Sequence, residues 1–190
     1  MSAHAQSRLS EDEYLALDRA AEFKSELYDG AMCAMSGGSY RHGQVILNLG
    51  AELRQELRGR KCSVTASEVR VRLNRGNYAY PDIAVVCGEL RFADDQKDTL
   101  VNPTVLIEVL SPSTESHDRG LKFIRYRQLE SLQEYALVSQ SEPRVEIFRR
   151  QPSGSWLLSE FTALDSAANF DSLDCKIPLA EIYHQVTFTE

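Results

Sequence analysis

Two carboxylates stand in this 190-residue chain where a fold does not ordinarily keep them. Glu108 interrupts the run Val105-Leu106-Ile107-Glu108-Val109-Leu110, whose other residues are all apolar and read as a strand within a sheet. Asp82 heads a similar run, Ile83-Ala84-Val85-Val86. Burying an unpaired carboxylate is so costly that a chain keeps one only beside a cation, a metal or a proton. If the two strands are neighbours, both side chains can share one face at a separation suited to one divalent cation. Mg²⁺ takes a few carboxylate oxygens, keeps several waters and leaves room for a substrate phosphate. A carboxylate pair alone would equally serve a glycosidase. A third group has to decide.

That group is Lys122, on the helix expected after the Glu108 strand. Asp118, Lys122 and Tyr126 follow one another at intervals of four and so share a helix face. One reading is a surface Asp–Lys pair worth a few tenths of a kcal/mol. The other folds the helix back so that the ammonium reaches Glu108, holds an attacking water and offsets charge on a phosphoryl transition state.

The elements that must position these residues follow from pattern. Ser10-Glu11-Asp12-Glu13 is a capping box, so a first helix runs to about Ala21. Asp29-Gly30 lies between short apolar runs, which predicts a β-hairpin with Glu26 on its first strand. Val45, Ile46, Leu49, Leu53 and Leu57 recur at helical spacing after Ser36-Gly37-Gly38-Ser39, giving an amphipathic helix that His42 opens and Gly59 closes. Val69, Val71 and Leu73 alternate with Glu68, Arg70, Arg72 and Asn74, a strand with one wet face. Residues 79–87 form the next strand, with Pro81 near its start. It lies antiparallel to the Glu108 strand, since no helix intervenes. A helix over about 118–130, strands at Glu134–Ser139, Arg144–Arg149 and Trp156–Phe161, and a short helix near Leu179–Tyr183 complete the order. Residues 1–8 read as a frayed tail and 9–190 as a single α/β (α+β) domain, a mixed sheet with helices packed on it.

Composition narrows the classes. The chain is 43% hydrophobic and 26% charged, ordinary for a globular domain, and its net charge of −7 is not that of a basic nucleic-acid coat. Cys33, Cys62, Cys87 and Cys175 show no zinc spacing, and without a signal peptide they read as reduced cytosolic thiols. No stretch is apolar enough for a membrane span, so a cytoplasmic location is expected.

Pro81-Asp82 followed by Glu108-Val109-Leu110 on an apolar strand resembles the PD-(D/E)XK nuclease superfamily, with Leu110 where the superfamily keeps a lysine. The Uma-type endonuclease branch makes the same departure, and the chain is similar to that branch over most of its length. The shared stretches are Glu26-Leu27-Tyr28-Asp29-Gly30, His42, Tyr80-Pro81-Asp82-Ile83, residues 107–114, Asp118-Arg119-Gly120-Leu121-Lys122, Tyr126 and Glu134-Tyr135. The resemblance implies a restriction-endonuclease-like mixed sheet flanked by helices and a Mg²⁺-dependent site, Mn²⁺ substituting, that hydrolyses phosphodiester bonds in DNA. It makes Asp82 and Glu108 metal ligands, with Glu26 completing the metal site. It makes Lys122, moved from strand to helix, the catalytic base or charge stabiliser.

His42, Arg119 and Tyr126 are the residues expected to touch substrate, with Arg70, Arg72 and Arg125 available to a nucleic-acid backbone. Glu134 is expected to make a structural hydrogen bond. Cutting both strands would suit a homodimer joined through the C-terminal strands. The competing reading is a catalytically idle nuclease-like fold that serves as a DNA-binding or assembly module.

Overall fold

A computed structural model describes residues 8–74 and 76–188. The expected N-terminal tail therefore falls, except for Arg8, outside the described residues. The capping box forms as read: Ser10 accepts from the Glu13 amide and the Glu13 side chain returns to Ser10, opening α1 (Glu11–Ala20). The hairpin of β1 (Ser25–Tyr28) and β2 (Ala31–Ala34) turns at Asp29 and Gly30, whose φ values of 50° and 83° are what a two-residue primed turn requires. The long helix α2 (Tyr40–Glu56) is capped by Ser39 and buries Val45, Leu49 and Leu53.

Next come β3 (Cys62–Ala66), β4 (Arg70–Asn74), β5 (Asn77–Ala79) and β6 (Ile83–Cys87). The single strand expected over 79–87 is thus two strands in two sheets. Tyr80-Pro81-Asp82 breaks the ladder between them, because a proline has no amide to give a central strand. The polar loop that follows carries a short strand, β7 (Thr99–Leu100), which pairs parallel to β4. Arg70 departs from the wet face assigned to it: it is 2% exposed, bonded to Asp18 and Thr99 and paired with Asp98. Three polar partners brought in from α1 and the loop make that burial tolerable, and none of them is near Arg70 in sequence.

β8 (Val105–Leu110) is buried along its whole length. It pairs antiparallel with β6 and parallel with β9 (Glu134–Ser139), so it lies in the middle of a sheet ordered β11-β10-β9-β8-β6-β3, with β10 at Val145–Arg150 and β11 at Trp156–Phe161. The crossover from β8 to β9 is the helix α3 (residues 115–126), which ends sooner than expected. It is built from an α turn at Glu115–His117, a π turn at Asp118–Lys122 and an α turn at Phe123–Tyr126. A second sheet, ordered β2-β1-β5-β4-β7, packs with α3 against one face of the central sheet. α2 and the C-terminal segment cover the other face. That segment holds a hairpin not read from the sequence, β12 (Ala167–Phe170) with β13 (Cys175–Pro178), ahead of α4 (Leu179–Ile182).

The expectation of four reduced thiols fails for two of them. Cys62 and Cys87 face each other at the end of the β3–β6 ladder, with Cα atoms 4.0 Å apart, and form a disulfide. Cys33 and Cys175 are free. The two bonded cysteines are 25 residues apart, and only the strand register makes them opposite. No helix among the described residues is long and apolar enough to cross a membrane.

Candidate active site

The β6–β8 register pairs Ile83 with Ile107. One step beyond that pair, Asp82 comes opposite Glu108, and in an antiparallel ladder opposed residues share a face. Asp82 sits just outside the strand, and its Oδ2 accepts the Val109 amide at 2.7 Å. The proline break that ends the ladder is therefore what frees a carboxylate to turn back onto β8. Glu108, 3% exposed, points to the face covered by α3, where Tyr126 donates to its Oε1 at 2.7 Å.

Lys122 arrives from the π turn, as the helix reading of the sequence required. Its Nζ lies 2.8 Å from Glu108 Oε1, 3.1 Å from Glu26 Oε1 and 3.8 Å from Asp118 Oδ1. A π turn is uncommon, and where one occurs it frequently marks a functional site. Glu26 is fixed from every side: Oε1 also accepts the Tyr80 amide at 2.9 Å, and Oε2 accepts the Tyr28 hydroxyl at 2.9 Å. His42, in the first turn of α2, brings Nε2 to 3.3 Å from Asp82 Oδ2. Its ring stands so close to the glycine segment that a Cβ on Gly38 would lie 2.6 Å from Nδ1.

These groups line one cavity of about 360 Å³, with Tyr80, Asp118, Ser39 and Gln140 on its walls. Its charges are unbalanced. Burial drives the Glu108 carboxyl well above its ordinary range; Lys122 opposes this, and the nearby Asp82, Asp118 and Glu26 reinforce it. Asp118 is raised for the same first reason, burial, and Lys122 again offsets part of the rise. Burial alone would lower Lys122, but Glu108 and Glu26 outweigh it and hold the ammonium well above its ordinary value. His42 is raised because its bond to Asp82 and that carboxylate's charge exceed the cost of its burial.

The donor set suits a hard cation in kind: oxygen ligands in a pocket short of positive charge. Among the described residues no group of three or more His, Cys, Asp or Glu side chains stands in metal-holding array. Mg²⁺ is commonly held by one or two carboxylates with water and substrate phosphate filling the remainder, so a pair of protein ligands fits it. Asp82 and Glu108 are the two carboxylates that would supply such a pair. Glu26 would join them only by exchanging bonds it now makes to Lys122 and Tyr28.

The structure brings Glu26, His42, Asp82, Glu108 and Lys122 to one cavity and sets Tyr126 directly behind Glu108. Arg119 is elsewhere, paired with Glu115 at 2.7 Å and Glu146 at 2.6 Å. Arg125 is held by Asp29 and Asn77. Glu134 is wholly buried, paired with Arg149 and accepting from the Asp171 and Ser172 amides and the Ser172 hydroxyl, a purely structural set. Sequence reasoning passed over Tyr28 and Asp118 as site residues. The spacing of Asp118 to Lys122 carried that signal; for Tyr28 only its place beside Glu26 did.

A mixed sheet with a buried carboxylate on its central strand, a second at the head of the antiparallel neighbour and a lysine from the following helix defines a restriction-endonuclease-like fold. The chain belongs to the Uma2 family, described as "Putative restriction endonuclease", whose model matches residues 11–179. An uncharacterized protein of Synechocystis sp. is 33% identical over 195 residues, covering 99% of this chain and 100% of that relative. A second from the same organism is 32% identical over 163 residues, covering 85% of this chain and 92% of the relative. Among solved structures, a "putative nuclease belonging to DUF820" from Anabaena variabilis superposes with a TM-score of 0.76 at 17% identity. It covers 94% of this chain and 99% of that one, a likeness of fold.

Proposed function

We propose that this protein is a Mg²⁺-dependent endonuclease that hydrolyses phosphodiester bonds in DNA. The observation that carries the reading is the ammonium of Lys122, delivered by α3 to 2.8 Å from the buried Glu108 at the wall of the Asp82 cavity. Asp82 and Glu108 would hold the metal, which when bound lowers the pKa of a coordinated water and stabilises charge on phosphate oxygens. Lys122 serves as charge stabiliser rather than base, since two carboxylates keep it protonated. Its cation offsets the charge that gathers on the phosphate oxygens in the transition state. Tyr126 and Glu26 fix the positions of Glu108 and Lys122, and His42 orients Asp82.

A symmetric dimer through the edge strand β11, where Leu157 and Leu158 are 52% and 47% exposed, would present two such sites to a duplex. Incubating supercoiled plasmid with the protein and Mg²⁺ tests the reading. Wild-type protein is expected to nick or linearise the plasmid, while Glu108→Ala and Lys122→Ala leave it supercoiled. Equal cutting by all three would overturn the assignment.

A further inference from the structure

A second cleft of about 680 Å³ runs between α2 and the edge strand β3. Its walls are Gly43, Leu47, Gly50, Arg54 and Arg58 on the helix side and residues 64–67 on the other. It adjoins the active-site cavity at one end. Gly43 follows His42 on the helix, and the amide of Ser67 donates to the backbone carbonyl of Asp82 at 3.0 Å.

The cleft's composition has no explanation inside the folded chain. Two glycines in a helix interior cost about 1 kcal/mol each against alanine. Neither is required sterically: a Cβ at Gly43 would meet nothing within 4 Å, and one at Gly50 only the Ile83 Cδ1 at 4.0 Å. What they do is bare the helix wall. Farther along the same wall, Arg54 and Arg58 are exposed, and neither guanidinium has a hydrogen bond or ion pair among the described residues. Their position near the helix C-terminus suits their charge, and they differ in this freedom from Arg119 and Arg125 of α3, which carboxylates neutralise. Glu52 and Glu56, on the same helix, do not line the cleft.

We infer that the α2–β3 cleft is the track of the DNA phosphate backbone leaving the active site, with Arg54 and Arg58 contacting phosphates. The inference rests on the nuclease reading and adds to it a direction and a footprint. At 1.5 Å per residue, Arg54 lies about 18 Å beyond His42 along the helix axis, and Arg58, in the turn that follows Glu56, lies about one helical turn farther on. With about 3.4 Å between successive phosphates along the duplex axis, they reach the strand about five to seven base pairs from the cut. Between His42 and these arginines, Gly43 and Gly50 bare the helix backbone, while the exposed Leu47 stands where it would meet deoxyribose rather than phosphate.

The experiment measures binding to duplexes of increasing length in the Glu108→Gln background, so that substrate is not consumed, and compares it with the same protein carrying Arg54→Glu and Arg58→Glu. Affinity is expected to climb as duplexes extend past about seven base pairs on one side, and the charge reversal is expected to remove that gain, at least tenfold. The neutral pair Arg54→Gln and Arg58→Gln should make the slope of log affinity against log salt shallower by about 1.8, two phosphate contacts at about 0.9 each. In the otherwise wild-type protein, cleavage of bis(p-nitrophenyl) phosphate, too small to reach the cleft, should be unchanged by either pair. A charge reversal that leaves DNA affinity intact, or that lowers DNA and small-ester cleavage equally, overturns the cleft assignment. Wild-type protein that binds DNA with the expected slope but cleaves neither substrate instead overturns the hydrolytic reading and leaves the track standing.

Discussion

Lys122 Nζ sits 2.8 Å from Glu108 Oε1, although the two residues come from different elements and both are almost wholly buried. A buried ion pair is poor as a source of stability, because desolvation cancels much of its attraction. Losing one partner is worse than never having had the pair. Lys122→Met should therefore destabilise the fold by about 3 kcal/mol, since it leaves Glu108, Glu26 and Asp118 facing one another without a cation. Adding Glu108→Gln should restore part of that stability without restoring plasmid nicking. Urea unfolding of the single and double variants checks this; a double variant no more stable than Lys122→Met would show that the pair is not what ties α3 to β8.

The same shortage of positive charge sets a pH dependence. Glu108 and Asp118 both have carboxyl pKa values raised in the folded state, mainly by burial. A raised group favours the fold fully below its unfolded value, near pH 4, and that contribution is lost as pH rises through the folded value. Stability should thus decline from acid toward neutral pH on account of these two residues. Asp118→Asn, which imitates the protonated form, removes one contribution. Its urea midpoint should change less between pH 5 and pH 8 than that of the wild type. An unchanged difference would remove Asp118 from the account.

A divalent cation should relieve the shortage where it is greatest. Mg²⁺ at a hundredfold excess over its dissociation constant would stabilise the fold by about 2.7 kcal/mol. The rise in melting temperature should be larger at pH 8 than at pH 5, where protons compete for the carboxylates. Asp82→Asn should abolish the Mg²⁺ effect while retaining the fold, because an asparagine oxygen can still accept from the Val109 amide. A Mg²⁺ response that survives Asp82→Asn would place the ion elsewhere.

How much of this was legible in the sequence depends on distance along the chain. Local chemistry was: the Ser10 cap, the Asp29-Gly30 turn, α2, and the apolar run of β8 all formed as read. The site itself was legible because Glu108 and Asp82 violate the apolar pattern around them, and such violations collect where chemistry is done. What was not legible depended on partners supplied by folding. Arg70 alternates like a wet-face residue, yet Asp18 and Asp98 come from elsewhere to bury it. The break at Tyr80-Pro81-Asp82 looked like a strand entry, and only the sheet assignment shows it dividing two sheets while releasing Asp82. The β12–β13 hairpin is short, and its residues alternate too briefly to stand out from loop.

The Cys62–Cys87 bond was the least legible feature, and it can be tested by counting thiols. Closing a loop with a separation of 25 residues is worth about 3.5 kcal/mol through the unfolded chain, so reduction, or Cys62→Ser with Cys87→Ser, should lower the urea midpoint accordingly. The other two cysteines should behave differently from this pair and from each other. Cys33 is exposed, whereas burial pushes the Cys175 thiol up to about 11 and shields it from thiolate chemistry. Native protein kept from reductant should therefore show one fast-reacting thiol, two after unfolding and four after unfolding with reductant. Four reactive thiols in unfolded, unreduced protein would mean that β3 and β6 are held by their ladder alone.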